Sequence, residues 1–381
     1  MADPRPSGCR LWQTGGGDNA RQGLFAGAVR LDLQSLRRLE ARGAVQASVV
    51  FDTADRAFVA DMAGGVQAFA LRGRPLWRTQ LEGSILATLA VDGAGARLFA
   101  GTTAGWVYSL RTPNGGALWR KAIPSKSDPR ILSDLLYLPK QKVVVMSSWG
   151  GRFYALDAAS GEPRYSWDAG LSPYAGAAAD TGDRVYCLRA VRDEGVQFVR
   201  VTTDGKETIL YRQAGSEKEA GRAMVAAAPV LNEARARVCF ILNSGRESLL
   251  HAWSSETEAM LWSQRFSSAV RATPTILPDG GVLVADLAGY VHALAPDGTP
   301  RYRYASGCEY LLSGSVCDQT GTAYIGDPLG MVHCLSADGL GNPVFEAPRA
   351  IQARPSFDRL GNLYVASTDR QVYVFRNQTR L

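Results

Sequence analysis

Three histidines, His251, His292 and His333, recur at intervals of forty-one residues. Three imidazoles are a familiar ligand set for catalytic zinc. The regular spacing argues the other way. Each histidine fills the same column of a repeating segment, and equivalent points on neighbouring packed sheets lie on the order of 10 Å apart. One zinc ion needs its ligand nitrogens about 2 Å away. The histidines are therefore expected to be packing residues, with no metal site. No other histidine could serve a nucleophilic serine, and there is no Gly-x-Ser-x-Gly elbow. P-loop and dinucleotide fingerprints are absent as well, so no residue is assigned a catalytic role. Five aspartates, Asp52, Asp92, Asp180, Asp318 and Asp358, close one type of segment. None has the dense alternating acids of a calcium loop, and Asx-type turns are expected there.

The elements that would position such groups are repeats. Val45-Gln46-Ala47-Ser48-Val49-Val50-Phe51-Asp52 returns seven times, beginning at Ile85, Ile131, Pro173, Val225, Val270, Leu311 and Ile351. An apolar or Pro column opens each copy and a small residue follows two places later. A second alternating segment recurs in step, as Trp106-Val107-Tyr108-Ser109-Leu110 and Arg152-Phe153-Tyr154-Ala155-Leu156. Strict alternation is a strand signal. A large residue follows in a last strand: Trp77, Trp119, Tyr165, Tyr211, Trp262, Tyr302 and Phe345. These aromatics should pack between units. A repeat of about forty residues with four strands, lettered A to D, is a propeller blade.

Counting copies sets the closure. Eight A strands and eight C strands are present, but only seven D strands follow a C strand. Leu36 to Glu40 precedes the first A strand and can supply the missing one, which removes a free edge. The expectation is an all-β, eight-bladed propeller of four-stranded antiparallel blades. Residues 1–33 form a lead-in and 34–381 a single domain. The turn-rich run Trp12 to Arg21 should lie across the propeller.

In a propeller the D–A and B–C loops share one face around the channel mouth. Gln46, Tyr174, Arg271, Tyr310 and Gln352 are expected there from the first set, with Glu309 beside them. Asp61, Trp149, Asp286 and Asp327 come from the second, with Asp193, Arg246 and Arg370. Asp134 and Arg354 stand next to the axis, where other copies have small residues. Polar and aromatic groups converging on a pocket mark a binding site.

Hydrophobic residues make up 46% of the 381, enough for a core, and the net charge is +6. Only six of the 42 basic residues are Lys, and acids are interleaved with the scattered Arg. That pattern excludes a nucleic-acid stripe. No run is long enough to span a membrane. The six Cys include no C-x-x-C and no adjacent pair, which suits reduced thiols and a cytoplasmic protein. Ser7-Gly8-Cys9 would instead end a lipoprotein cleavage site if an apolar leader preceded it, placing the protein in the periplasm or at the outer membrane.

Tyr154-Ala155-Leu156-Asp157-Ala158-Ala159-Ser160-Gly161-Glu162 resembles the repeat of quinoprotein (PQQ-like) β-propellers. Ala155, Asp157, Gly161 and Tyr165 match that repeat's small residue, acid, glycine and docking aromatic. Ser109, Gly115 and Trp119 match in part, with Arg111 in place of the acid. The likeness runs from about residue 10 to 377. Dehydrogenases of the superfamily are longer and bind PQQ and calcium beside an adjacent-cysteine disulfide, which is missing here. The compact, BamB-like branch is non-catalytic, and the chain resembles it in length. The resemblance implies a monomeric scaffold without cofactor that binds a protein or peptide partner, or a small molecule, at the channel mouth. The alternatives are an enzyme using Asp134, Tyr174, Arg271 or Arg354 there and, behind it, a PQQ-dependent dehydrogenase.

Overall fold

The computed structural model describes residues 11–124, 127–170, 176–192, 194–213 and 225–379. Eight blades succeed one another, each built on four antiparallel strands, and the seventh gains a short parallel fifth strand. Blade 3 shows the pattern: Leu136–Leu138, Val143–Ser148, Arg152–Asp157 and Pro163–Asp168 pair in that order. The two middle strands of each blade are almost wholly buried, which is why they are rich in Val, Leu, Phe and Ala. Blade 8 takes its outer strand from the N-terminal end. Leu31–Glu40 runs antiparallel to Gln371–Asn377, with Leu36 opposite Phe375 and Glu40 opposite Gln371. The closing strand is longer than the expected Leu36 to Glu40, because the pairing resumes at Leu31 and Asp32 beyond an irregularity.

The innermost strands are shorter than the repeat suggests. In blade 1 only Val50–Phe51 is strand, although the periodicity begins at Val45. Residues 45–49 run beside the axis, where they bond to other blades. Val45 N donates to Ser367 O in blade 8, and Ser48 Oγ donates to Arg354 O. Further round, Ser313 Oγ donates to Ala353 O, and Thr275 Oγ1 to Ser315 O. Small hydroxyl side chains thus stitch neighbouring blades where larger ones would not fit.

The D-strand aromatics dock on the next blade. Trp77, Trp119 and Trp262 donate their indole N–H to the carbonyls of Thr112, Ala158 and Pro296. Each ring lies under a glycine in the next C–D turn. Gly161 has φ +77, and a Cβ there would sit 2.8 Å from Trp119; Gly298 has φ +89, and its Cβ would sit 2.6 Å from Trp262. Only glycine meets both demands. In blade 5 Glu258 takes the left-handed position at φ +50 and forms an ion pair with Arg200.

The lead-in closes the A–B end of the channel. Successive A strands donate backbone N–H groups to it: Phe51 to Trp12 O, Val91 to Gln13 O, Ala179 to Asn19 O, Leu231 to Ala20 O, Ile276 to Gln22 O and Cys317 to Gly23 O. Blade 3 is held by side chains, with Thr14 Oγ1 donating to Leu135 O and Asn19 Nδ2 to Tyr137 O. Blade 8 is reached through ring contacts of Trp12 and Phe25 with Phe357. Residues 12–23 therefore touch all eight blades, and Leu24–Phe25 then pairs parallel to Cys317–Asp318.

Candidate functional site

The polar residues expected at one mouth fall into three groups. The first is deep on the axis. Arg21, in the lead-in, is fully buried and donates from Nε to Ala177 O at 2.6 Å and from Nη1 to Gly15 O at 3.0 Å. Its Nη1 lies 3.2 Å from Asp134 Oδ2, and its Nη2 donates to the Asp134 carbonyl. Asp134 also accepts Thr88 N at 2.8 Å. Arg354 donates to Ser315 O, Arg21 O, Pro274 O and Thr275 Oγ1. Among the described residues no carboxylate is within bonding distance of it, and carbonyl dipoles solvate its charge. Burial and the neighbouring Arg21 cation pull its pKa down to about 9, which leaves it protonated at neutral pH. Glycines make this packing possible: a Cβ on Gly15 would collide with Asp134, and one on Gly16 or Gly23 with Arg354.

The second group is buried in turns. Asp61, Asp286 and Asp327 are at most 2% exposed, not on the rim as expected. In each, Oδ1 accepts two backbone N–H groups of its own B–C turn: Ala63 and Gly65, Ala288 and Tyr290, Leu329 and Met331. Two of them also hold histidines. His292 Nε2 is 2.8 Å from Asp286 Oδ2, and His333 bridges Asp327 Oδ2 at 3.0 Å and Tyr304 OH at 2.9 Å. His251 meets Ser263 Oγ instead, and burial pulls its pKa down to about 4. Each imidazole thus sits in a different blade, and His333 also ties blade 7 to Tyr304 of blade 6. Among the described residues no group of three His, Cys, Asp or Glu is placed to hold a metal ion. The A–B aspartates repeat the same turn: Asp52 accepts Ala54 and Arg56 N, and Asp318 accepts Thr320 and Thr322 N.

The third group reaches the D–A and B–C face. Gln46 Nε2 donates to Gln352 Oε1 across the gap between blades 1 and 8. Arg271 and Tyr310 are exposed, and the Trp149 ring lies 5.6 Å from the Arg130 guanidinium. Tyr174 and Asp193 lie outside the described residues. The face is knit by one recurring bond from a B–C turn to the preceding D–A connection, as in Met62 N to Ala44 O, Trp149 N to Arg130 O and Leu287 N to Ala269 O. Sequence reasoning missed two residues that stand out on it. Met62 is 36% and Leu329 is 64% exposed, both in B–C turns just after a buried aspartate. Their signal was an apolar residue where a turn normally places a polar one.

A cofactor in the axis is a question that this architecture raises for quinoproteins. The axial residues do not fit one beneath the lead-in, because Arg21, Arg354 and Asp134 are packed against glycines with no room for a Cβ.

Eight PQQ-like blades, crossed at one end by their own lead-in, define the class: a repeat β-propeller. The family model described as outer membrane protein assembly factor BamB matches residues 62–299, and the chain belongs to that family. BamB from Moraxella catarrhalis superposes with a TM-score of 0.72 at 19% identity, over 91% of this chain and 99% of that one. A quinohemoprotein alcohol dehydrogenase from Comamonas testosteroni gives 0.73 at 13%, over 96% and 80%. The Dos1 propeller gives 0.70 at 12%, over 90% and 95%. At these identities the structural likeness establishes the fold alone. No curated protein matches the chain.

Proposed function

We propose that the protein is a non-catalytic scaffold that binds a protein partner on its D–A and B–C face. One observation carries this reading. That face exposes Met62, Tyr310 and Leu329, whereas Asp134 and Arg354 on the axis are already bonded to the lead-in and to neighbouring blades. Exposed apolar side chains among polar ones are the composition of a docking surface. The family's description as an outer-membrane assembly factor supports a partner from that machinery, and hence a location facing the outer membrane. No helix among the described residues is long and apolar enough to cross a membrane. The five described cysteines are free, and burial pushes Cys187 and Cys239 up to about 12, so their thiols are inert in either compartment. Each blade leaves only its short outer strand as an edge and the eighth is completed within the chain, which favours a monomer.

Photo-crosslinkers placed at Tyr310 and Leu329 test the reading, with Leu340 as the reference. Leu340 is 74% exposed but lies in a C–D turn on the opposite face. One discrete protein should be captured from the first two positions and not from the third. Capture from Leu340 alone, or from none, would overturn the assignment.

A further inference from the structure

The A–B and C–D end of the ring carries its charge unevenly. Blades 8, 1 and 2 present six exposed arginines there. Arg30 and Arg376 flank the base of the closing strand, and Arg37 lies on that strand. Arg72 and Arg74 stand in the C–D turn of blade 1, and Arg111 opens that of blade 2. Arg97, half-buried, is directly across the strand pair from Arg111, where like charges repel each other. None of the six exposed guanidinium groups bonds a carboxylate among the described residues. The local acids are committed. Asp52 is buried and pairs with Arg56, Asp55 pairs with Arg359, and Asp92 accepts Ala96 N. Asp32 accepts Gln34 and Ser35 N. On the opposite arc of the same end, Asp204, Glu256, Asp297 and Asp338 are exposed. Arg37 marks the seam between blades 8 and 1. After blades 1, 2, 3, 5 and 6 an aromatic ring lies under the next C–D glycine, but a Cβ on Gly73 would sit 2.5 Å from Arg37 Cδ. Arg37 Nη1 donates to Leu71 O at 2.7 Å, and the residue stays exposed. Beside it the closing strand bulges. Asp32 pairs with Arg376 and Leu36 with Phe375, so residues 33–35 lie outside the ladder, and Leu33 is 45% exposed.

We propose that this arginine arc rests on an anionic lipid surface, with phosphates against its guanidinium groups and Leu33 entering the headgroup layer. The choice of lipid rests on the membrane-facing location read above, but the arc lies at the end of the ring opposite the partner face. Guanidinium groups bind phosphate oxygens in pairs and are weakly hydrated. Each basic residue near an anionic leaflet strengthens binding about fivefold. An exposed apolar side chain beside cations is the composition of an interfacial contact. A nucleic acid would use the same cations but offers Leu33 no apolar layer to enter. The acidic arc is repelled by the same surface, so the ring meets it edge-on, with blades 8, 1 and 2 first.

The test uses the full chain and sedimentation with vesicles of phosphatidylglycerol and phosphatidylcholine at about 1:2, with pure phosphatidylcholine as the reference. The wild type should bind the anionic vesicles only, and about 0.5 M salt should release it. Arg111→Gln should weaken binding about fivefold, and Arg72→Gln with Arg74→Gln in one chain about 25-fold. Leu33→Ser should also weaken it about fivefold, through lost apolar contact. Lys206→Gln, in an exposed residue of the blade 4 C–D turn at the same end, should leave it unchanged. Unaltered binding by the arginine variants, an equal loss in Lys206→Gln, or no binding by the wild type overturns the proposal. So does unchanged binding by Leu33→Ser, which would leave a contact by charge alone. Displacement by soluble polyglutamate at equal anionic charge would mark an acidic protein surface, and displacement by duplex DNA a nucleic-acid site; either overturns it too. If vesicle binding fails while Tyr310 and Leu329 still capture a protein, the lipid assignment falls and the scaffold reading stands.

Discussion

Replacing Arg21 by Met should release the lead-in from the axis. The side chain has nearly the right length, but it offers no donor. Four bonds disappear, to Ala177 O, Gly15 O, Asp134 O and Asp134 Oδ2. The Asp134 carboxylate keeps Thr88 N alone among these partners. The Asp134 side chain is 34% exposed and keeps water, so the loss lies chiefly in the two buried carbonyls, Ala177 O and Gly15 O, left without a donor; at about 1–3 kcal/mol each this is about 4 kcal/mol. Unfolding entropy of about 2.1 cal/mol/K per residue gives roughly 0.8 kcal/mol/K for this chain, so a 4 kcal/mol loss lowers Tm by about 5 °C. The sharper assay is amide hydrogen exchange. The N–H groups of Phe51, Val91, Ala179, Leu231, Ile276 and Cys317 have lead-in carbonyls as acceptors. They should exchange about two to three orders of magnitude faster in Arg21→Met, at about 1.4 kcal/mol per decade. Amides of the buried C strands should change less. Equal acceleration in both sets, or a Tm within 1 °C of wild type, would refute a lead-in locked by Arg21. Arg354 sharpens the point, because its pKa is lowered partly by the Arg21 charge. Each single Met variant relieves that repulsion, so the double variant should cost more than the sum of the two. An additive pair would show that the two cations do not interact.

Other outcomes follow from the same packing. Gly298→Ala combines φ +89 with a Cβ 2.6 Å from Trp262, and should cost about 2–4 kcal/mol in denaturant unfolding. Gly245→Ala, at φ +64 with nothing within 4 Å, should cost only the strain, about 1–2 kcal/mol. Burial raises the Asp358 pKa from 3.8 to about 6, so the folded state holds this proton after the unfolded chain has released it. Its contribution is complete below pH ~4 and is lost as pH rises to ~6, by about 3 kcal/mol. Asp358→Asn should remove that slope from a stability–pH profile, and an unchanged slope would dismiss the assignment. Leu39 is 2% exposed on the closing strand, and Leu39→Asp buries an unpaired carboxylate there. It should detach the strand and bare the edge at Gln371–Asn377, giving oligomers in light scattering; a stable monomer would contradict closure by this strand.

The repeat was legible because a blade is a local object. Alternation, a small residue beside the axis and a docking aromatic recur at fixed offsets, so counting them gave eight blades and the orphan strand Leu36 to Glu40. The site was only partly legible. An aspartate that turns inward to cap its own backbone, such as Asp61, has the same local sequence as one facing solvent. Only the bonds from Ala63 and Gly65 distinguish them. Asp134 and Arg354 were picked out as exceptions to a small-residue column, but their partner Arg21 lies more than a hundred residues from either. The seal made by residues 12–23 depends mostly on backbone carbonyls, which every residue possesses, so the turn-rich run Trp12 to Arg21 showed that a segment crosses the propeller but not which groups it would claim. Periodic side chains therefore determined the propeller from sequence alone. Which of its polar groups remain available to a partner was decided only when the ring closed and the lead-in claimed those on the axis.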